Sequence, residues 1–357
     1  MSAIVITGAA GPLGRRVVAR AVADPPVRRV VALDVEPLDV ERLALGTGAM
    51  GSSKVQAEQV DLVTAELKVL FQGADVVVHL ASAYGPSLDD DPAVQGGAEV
   101  ELARRVIEAV GDTAVGHLIL LSSATVYGAW ANNPVPLTEE AALRPNPDCG
   151  FAVHKAEIER LTMEWADSHP SATVAVLRPV PTVADDRGGW LATALASAPA
   201  PVGSDEPPAQ FLDLDDLAAA IDQVRRAGGD GAFNVAPNGW LTGASAKALA
   251  AGTPRLRTPA RLAGRLAAFR WRFRLAPSPP GIVPYRWQPW VVANDRLKGT
   301  GWEPQHTNEE AYVAGHAAGP WATLSPRRRQ ELALGGATVT LAGAVAGVLA
   351  LLRRRRS

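Results

Sequence analysis

Apolar and polar positions follow two alternating rhythms along the first half of the chain. Residues 3–7, 30–33, 76–80, 117–121 and 173–177 are short, nearly unbroken apolar runs, which is how strands read when a parallel sheet is covered on both faces. Between them, residues 13–22, 98–110 and 152–168 carry apolar side chains at helical spacing, so the predicted order is that of repeated βαβ units. The expectation is an α/β fold built on a doubly wound parallel sheet over residues 1–180. After Arg178-Pro179 the rhythm weakens, and proline and glycine punctuate 179–208. A short strand leading into a helix is expected over 211–221 and a further strand at 231–235, so that 209–236 return to the sheet. Residues 181–208 and 237–315 are expected to form a smaller C-terminal lobe.

The end of the chain reads differently. Residues 332–352 carry no charge and are followed by Arg353, Arg354, Arg355 and Arg356. That length suits a bilayer-spanning helix, and the arginines favour the cytoplasmic side. A transmembrane helix at 332–352, a basic linker at 316–331 and a basic tail at 353–357 are therefore expected. They imply single-pass attachment to the cell membrane with the folded body in the cytoplasm. The alternatives are a helix packed on the body or one lying in the interface. Gly343 and Gly347 have the spacing that lets two such helices approach closely, although this spacing arises often by chance in Ala/Gly-rich stretches.

Composition narrows the picture further. A hydrophobic content of 47% with 20% charged residues marks a folded chain. The formal net charge of −2 gives no global reason to expect a nucleic-acid partner. The first strand starts at residue 3, so no leader peptide is expected, and no metal site is expected. Cys149 is the single cysteine, which excludes an internal disulfide and fits a reducing compartment. Pro147-Asp148-Cys149-Gly150 supplies no base, so Cys149 reads as a small filler rather than a nucleophile.

The chemistry sits in a glycine loop. Ala3 to Thr7 run into Gly8-Ala9-Ala10-Gly11-Pro12-Leu13-Gly14 and then a helix. Gly8 permits the tight turn, Gly11 lets backbone approach a pyrophosphate, and Gly14 allows close helix–sheet packing. The helix N-terminus then offers free N–H groups and a positive dipole end to the phosphates. Asp34 closes the second strand run, where a carboxylate can accept both adenosine ribose hydroxyls and repel a 2′-phosphate, favouring NAD over NADP. The alternative is an aspartate capping a turn. Asp61, followed by Leu62, ends an expected third strand; it either meets the adenine amino group or caps its loop.

These residues resemble the extended short-chain dehydrogenase/reductase family, the NAD-dependent epimerase/dehydratase group. Thr7 to Gly14 match its TGxxGxxG loop, and Val78-His79-Leu80-Ala81-Ser82 its strand-four segment under the cofactor. Leu121-Ser122-Ser123-Ala124-Thr125-Val126-Tyr127-Gly128 resembles its SSxxVYG strand, Arg178-Pro179 the pair after strand six, and Phe211 to Ala218 its FxxxxDxA segment. The likeness spans roughly residues 1–315 and implies a Rossmann-like fold with a substrate-binding lobe. It also implies that Thr7, Pro12, Leu13, Leu80, Ala81, Ser82, Lys155 and Pro179 join the glycines and Asp34 around NAD.

In this family a Ser or Thr, a Tyr and a Lys carry the reaction. The lysine holds the nicotinamide ribose and lowers the tyrosine pKa, the tyrosine moves a proton to or from the substrate hydroxyl, and the serine orients the same oxygen. By motif the serine is Ser123 and the lysine Lys155, but the tyrosine position is Phe151. Tyr84, Tyr127, Tyr285 and Tyr312 are the only tyrosines, and none has a lysine four residues on. Tyr127 is the best in-motif candidate for a substitute acid/base; Tyr84, His154 and bound water are the others.

Three readings follow. The chain is an oxidoreductase or epimerase with an altered proton relay, an NAD-binding pseudoenzyme or regulatory subunit, or a tethered scaffold that binds nothing. The intact loop, Asp34, Ser123 and Lys155 disfavour the third. Residues 255–274 interleave arginine with Leu262, Leu266, Phe269, Trp271 and Phe273. They fit either an anionic lipid surface or packing within the substrate lobe. The expected substrate is therefore a small molecule such as a nucleotide sugar, or a lipid-linked sugar or lipid-type alcohol, and a homodimer is left open.

Overall fold

The fold is taken from a computed structural model that describes residues 2–40, 53–82, 92–184, 187–198, 200–201, 207–249, 257–258, 260–275 and 279–315. Seven parallel strands form the central sheet: β1 (Ser2–Thr7), β2 (Val27–Asp34), β3 (Val55–Gln59), β4 (Val76–His79), β5 (His117–Leu121), β6 (Thr173–Pro179) and β7 (Gly231–Val235). Their order is β7-β6-β5-β4-β1-β2-β3, so the chain reverses direction across the sheet between β1 and β4. The Rossmann-like α/β expectation is met, and residues 231–235 do return to the sheet.

Alternation along each strand sends side chains to two separate cores. Ile4, Ile6, Val30, Ala32, Val78, Ile119 and Leu177 face helices α1 (Pro12–Ala23) and Leu214–Ala227. Val5, Val31, Leu33, Val77, Leu118 and Val176 face α2 (Leu67–Phe71), α3 (Pro92–Gly111) and α4 (Gly150–Ser168). Burial on both faces explains why these strands are continuously apolar. β3 is the exception: as the sheet edge it is half exposed, and VQAEQ carries no apolar run to announce it.

Beyond β6, Thr182–Ala184 pairs with Leu212–Asp213 and Arg187–Gly188 in a small three-stranded sheet. It is followed by α5 (Trp190–Ser197), α6 (Leu214–Ala227), α7 (Gly243–Leu249) and α8 (Ala260–Arg272). Asp213 caps α6 by accepting the Asp215 N–H at 2.7 Å, and Arg16 on α1 binds Asp215 at 2.9 Å, tying α6 to the first helix.

The tail expectation is not supported. Among the described residues no helix is long and apolar enough to cross a membrane, and residues 332–352 lie outside them, as do 316–331 and 353–357.

Candidate functional site

The site forms where β1 and β4 part at their carboxyl ends, the switch point at which open α/β sheets leave a crevice. Thr7 closes β1, and its Oγ1 lies 2.8 Å from His79 Nδ1 while accepting the Leu80 and Ala81 N–H groups at 3.2 and 3.3 Å. Thr7 thereby fixes how the two strand ends diverge. His79 is buried, and desolvation, with the nearby Lys155 charge, lowers its pKa to about 3. It is a neutral structural group at any physiological pH.

The glycine loop is fitted to an empty space beside backbone. Gly8 has φ +71°, and a Cβ there would fall 2.7 Å from Ala81 N. At Gly14 a Cβ would fall 2.0 Å from the Gly8 carbonyl oxygen. Both positions require glycine, and the second lets α1 begin against the loop. Gly11 is the N-cap of α1 and has no capping side chain, with Pro12 in the first turn, so the first amides of the helix face outward as a phosphate cradle.

Asp34 holds this loop from the far side: Oδ2 accepts the Ala10 N–H at 2.8 Å and Oδ1 the Glu36 N–H at 3.1 Å. Lone pairs on both oxygens are left for sugar hydroxyls. Asp61 Oδ1 accepts the Val63 N–H at 2.9 Å, a loop cap. Leu62 is buried with Val5 and Leu33 in the core behind the sheet.

A cleft of about 890 Å³ opens over these elements. Pro12, Leu13 and Arg15 border it on the α1 side; Ser82, Ser123 and Lys155 form its floor; Pro179, Phe151 and Trp190 continue the wall. Seven residues singled out from the sequence (Pro12, Leu13, Ser82, Ser123, Phe151, Lys155 and Pro179) thus line one cleft. Most of the rest of the lining, including Val180, Pro181, Val183, Leu191, Leu214 and Leu217, is apolar, with Arg16, Ser122 and Thr182 as its polar members. A smaller pocket lined by Leu195, Phe211, Tyr285 and Trp290 shares Val180 and Pro181 with the cleft.

Each polar group in the cleft floor has a defined partner. Ser123 Oγ accepts the Thr125 N–H at 3.3 Å and the Thr125 hydroxyl at 3.0 Å, capping the short helix Ala124–Tyr127. Lys155 Nζ makes a buried ion pair with Glu99 Oε1 at 2.6 Å and donates to the Leu121 carbonyl at 3.2 Å. Ser82 Oγ donates to the same Glu99 oxygen at 2.9 Å. Glu99 Oε2 is buried with no hydrogen-bond partner among the described residues. The Phe151 ring lies 4.9 Å from that of Trp190, tilted by 57°, and its centroid is 5.9 Å from Lys155 Nζ.

The candidate substitutes for the tyrosine sit elsewhere. Tyr127 is 1% exposed; its hydroxyl donates to Asn234 Oδ1 at 2.8 Å and accepts from Arg178 Nη1 at 2.7 Å. Burial pushes its pKa up to about 12, against the pull of Arg178. Arg178 in turn binds Glu159 at 2.6 Å, and Ser122 donates to Glu159. This network braces β6, α4 and the Ala124–Tyr127 turn, and Tyr127 does not line the cleft. His154 points to α3, where a Cβ on Gly96 would collide with its ring. Tyr84 lies outside the described residues. Cys149 is buried at the start of α4, and burial raises its thiol pKa to about 11, as befits a filler.

Glu99 and Trp190 are the site residues that sequence motifs missed. The only signal for Glu99 was an acid on the stripe of α3 that carries Leu102, Ala103, Val106 and Val110, all buried.

The sequence profile of the NAD-dependent epimerase/dehydratase family matches residues 4–236. The chain belongs to this family. Uncharacterized proteins of Mycobacterium tuberculosis and Mycobacterium bovis are 26% identical over 242 residues, 67% of this chain and 63% of theirs. The match thus spans less than two thirds of those relatives. Among solved structures, UDP-glucose 4-epimerase from Bifidobacterium longum, in complex with NAD+ and UDP, is 18% identical with a TM-score of 0.65, covering 88% of this chain and 97% of that one. A tyrosine-to-phenylalanine mutant of UDP-glucuronic acid 4-epimerase from Bacillus cereus, in complex with NAD and UDP-4-deoxy-4-fluoro-glucuronic acid, is 17% identical with a TM-score of 0.62. It covers 87% of this chain and 97% of that one. These likenesses establish the common fold. NAD is the cofactor of the family, and the glycine cradle with Asp34 behind it fits that dinucleotide.

Proposed function

We propose that this chain is an NAD-dependent oxidoreductase of the epimerase/dehydratase type that acts on a hydroxyl or keto group of a nucleotide sugar or a lipid-type alcohol. In this reading residues 332–352 tether it to the cell membrane as a single pass, with the folded body in the cytoplasm. The observation that carries the enzymatic reading is one wall of one cleft: Ser123, Phe151 and Lys155 stand together beside the N-terminus of α1.

Bound NAD supplies a hydride acceptor or donor. The chain does the rest. The first-turn amides of α1 hold the pyrophosphate and Asp34 the adenosine ribose. Lys155 reaches the nicotinamide ribose, as the family resemblance implies, and Ser123 orients the substrate oxygen. Phe151 and Trp190 add apolar surface to the cleft, and the Phe151 ring gives no proton. Tyr127 is committed to Arg178 and Asn234, and His154 is turned to α3. We assign the proton to water bound near Ser123 and Lys155; Tyr84, the remaining candidate, lies outside the described residues. The apolar wall from Val180 to Leu191 favours a substrate with a large apolar part.

A second reading, an NAD-binding protein without turnover, is favoured by one observation: Lys155 is already neutralised by Glu99. The Bacillus cereus mutant shows that a tyrosine-to-phenylalanine change in such an enzyme is compatible with holding NAD and a sugar nucleotide together. The test is mass analysis of nucleotide retained on the purified chain, followed by turnover assays of Phe151→Tyr on UDP-sugars and on long-chain or sterol alcohols. A gain of turnover in the variant marks a decayed site. Turnover in the wild type that is unchanged or reduced in the variant marks a water-based relay. Absence of retained or added NAD binding overturns both readings.

A further inference from the structure

Helix α8 (Ala260–Arg272) presents its side chains in the reverse of the usual order for a surface helix, which turns its large apolar residues inward. Its buried face is small: Ala263 and Ala267 pack on Val283, with Trp287 alongside. Two of its large apolar positions and the residue after its end face out instead: Leu262 is 49% exposed, Phe269 54% and Phe273 58%, while Leu266 and Trp271 are half-buried. The Phe273 N–H still bonds the Phe269 carbonyl at 3.1 Å, so the turn runs on past the helix end. At ~100° per residue, Leu262, Phe269 and Phe273 fall within about 40° of one another. The two phenylalanine rings meet at 4.6 Å. Arg265 and Arg272 are exposed beside this stripe, and Leu275, 62% exposed, extends it.

The charge along this stretch of sequence has one sign. Between Asp230 and Asp295 the sequence contains no acidic residue, while arginines cluster from Arg255 to Arg274, in a chain whose overall charge is −2. Exposed aromatic and leucine side chains beside arginines whose stems can snorkel are the composition of an interfacial helix on an anionic bilayer. An acidic protein or a nucleic acid would satisfy the charge and leave Leu262 and Leu275 in water.

We propose that the outer face of α8 seats on an anionic lipid surface, with Leu262, Phe269, Phe273 and Leu275 in the headgroup–acyl boundary and Arg265 and Arg272 on lipid phosphates. The surface is distinct from the tail at 332–352. The segment Pro280–Arg286 packs against both α8 and α5, the helix that begins at Trp190 in the cleft wall. Seating α8 therefore links the membrane to the cleft wall through that segment. This link rests on the functional reading above and favours its lipid-type branch.

Because Cys149 is buried, a cysteine placed at Phe273 can be labelled alone. Full-length Phe273→Cys carrying an environment-sensitive dye is reconstituted with vesicles of phosphatidylcholine, with or without phosphatidylglycerol. Val69→Cys on α2, exposed on another face, is the control. The expected result is a blue shift at Phe273→Cys in the anionic vesicles alone, none at Val69→Cys, and loss of the shift when Arg265→Glu and Arg272→Glu are added. Co-sedimentation with vesicles without a shift overturns the α8 surface while leaving the tail reading intact. A shift produced by protein concentration or by DNA without vesicles also overturns it, in favour of self-association or nucleic acid. NAD retention scored on the same preparations separates failure of this proposal from failure of the functional reading.

Discussion

Glu99→Gln is the most informative single change, because it removes a charge without removing volume. In the wild type the Lys155–Glu99 pair spans 2.6 Å, with side chains only 9% and 3% exposed. Taking one partner from such a pair leaves an uncompensated buried charge, at a cost of about 3–5 kcal/mol. The amide of the variant would keep the Ser82 hydrogen bond and would still accept from Lys155, so the low end, about 3 kcal/mol, is expected. Lys155→Met strands a carboxylate that already has one unpartnered oxygen and should cost about 3–5 kcal/mol. The double variant leaves no buried charge and should cost no more than about 1–2 kcal/mol, because apolar or neutral replacement of a buried pair is often close to neutral. The coupling energy is then at least about 4 kcal/mol. Urea denaturation of the four proteins, followed by tryptophan fluorescence, measures it. Effects that add within about 0.5 kcal/mol, as for independent sites, would refute the pairing. Calorimetry with NAD supplies the functional half. Freed from Glu99, Lys155 should bind the cofactor ribose better, and NAD affinity should rise several-fold. An unchanged Kd with the coupling intact would make Lys155 a counter-ion to Glu99 rather than a cofactor ligand.

Three further outcomes follow from the same geometry. Gly14→Ala should abolish NAD binding and lower stability, since its Cβ would fall 2.0 Å from the Gly8 carbonyl oxygen; calorimetry and a melting curve check it. Tyr127→Phe should cost about 1–3 kcal/mol by orphaning Asn234 Oδ1 and leaving Arg178 Nη1 only its bond to the Glu139 carbonyl, and should leave the pH profile of any turnover unchanged. Its raised pKa, about 12, means the phenol contributes stability that is complete below about pH 10 and lost as pH rises toward 12, a loss the variant should not show. His79, with its pKa lowered to about 3, acts at the other end. The unfolded chain takes up a proton below about pH 6.5 that the folded chain refuses, so stability falls with acidification by up to about 1.4 kcal/mol per pH unit. Urea midpoints at pH 7 and pH 5 should show this slope in the wild type and lose it in His79→Asn.

What could be read in advance depended on whether a feature announces itself locally. Strands buried on both faces did so, because every position is apolar. β3 was expected only from the acid at Asp61 that follows it and not from an apolar run, because an edge strand half in water need not be apolar. The glycine loop was legible since two of its positions have no room for a side chain, and Phe151 and Lys155 were legible because four residues along a helix share a face. Glu99 meets Lys155 only through the packing of α3 on α4, at a contact so close that Gly96 has no space beneath His154. Nothing in either segment alone signals that meeting except an acid on an otherwise apolar stripe. Tyr127 illustrates the converse: its motif made it the best candidate for a substitute acid/base, yet its hydroxyl is one member of a chain from Asn234 to Arg178, Glu159 and Ser122. The loss of the usual tyrosine is thus accompanied by internal partners for the groups around it. Ser123 Oγ accepts both bonds of its helix cap, and Lys155 donates to Glu99 and the Leu121 carbonyl, which leaves the Ser123 O–H and one ammonium hydrogen to donate to a ligand. A cofactor ribose is held in addition by the loop and Asp34. A substrate oxygen, with no tyrosine to hold it, has fewer partners, so binding of NAD should persist under changes that extinguish turnover.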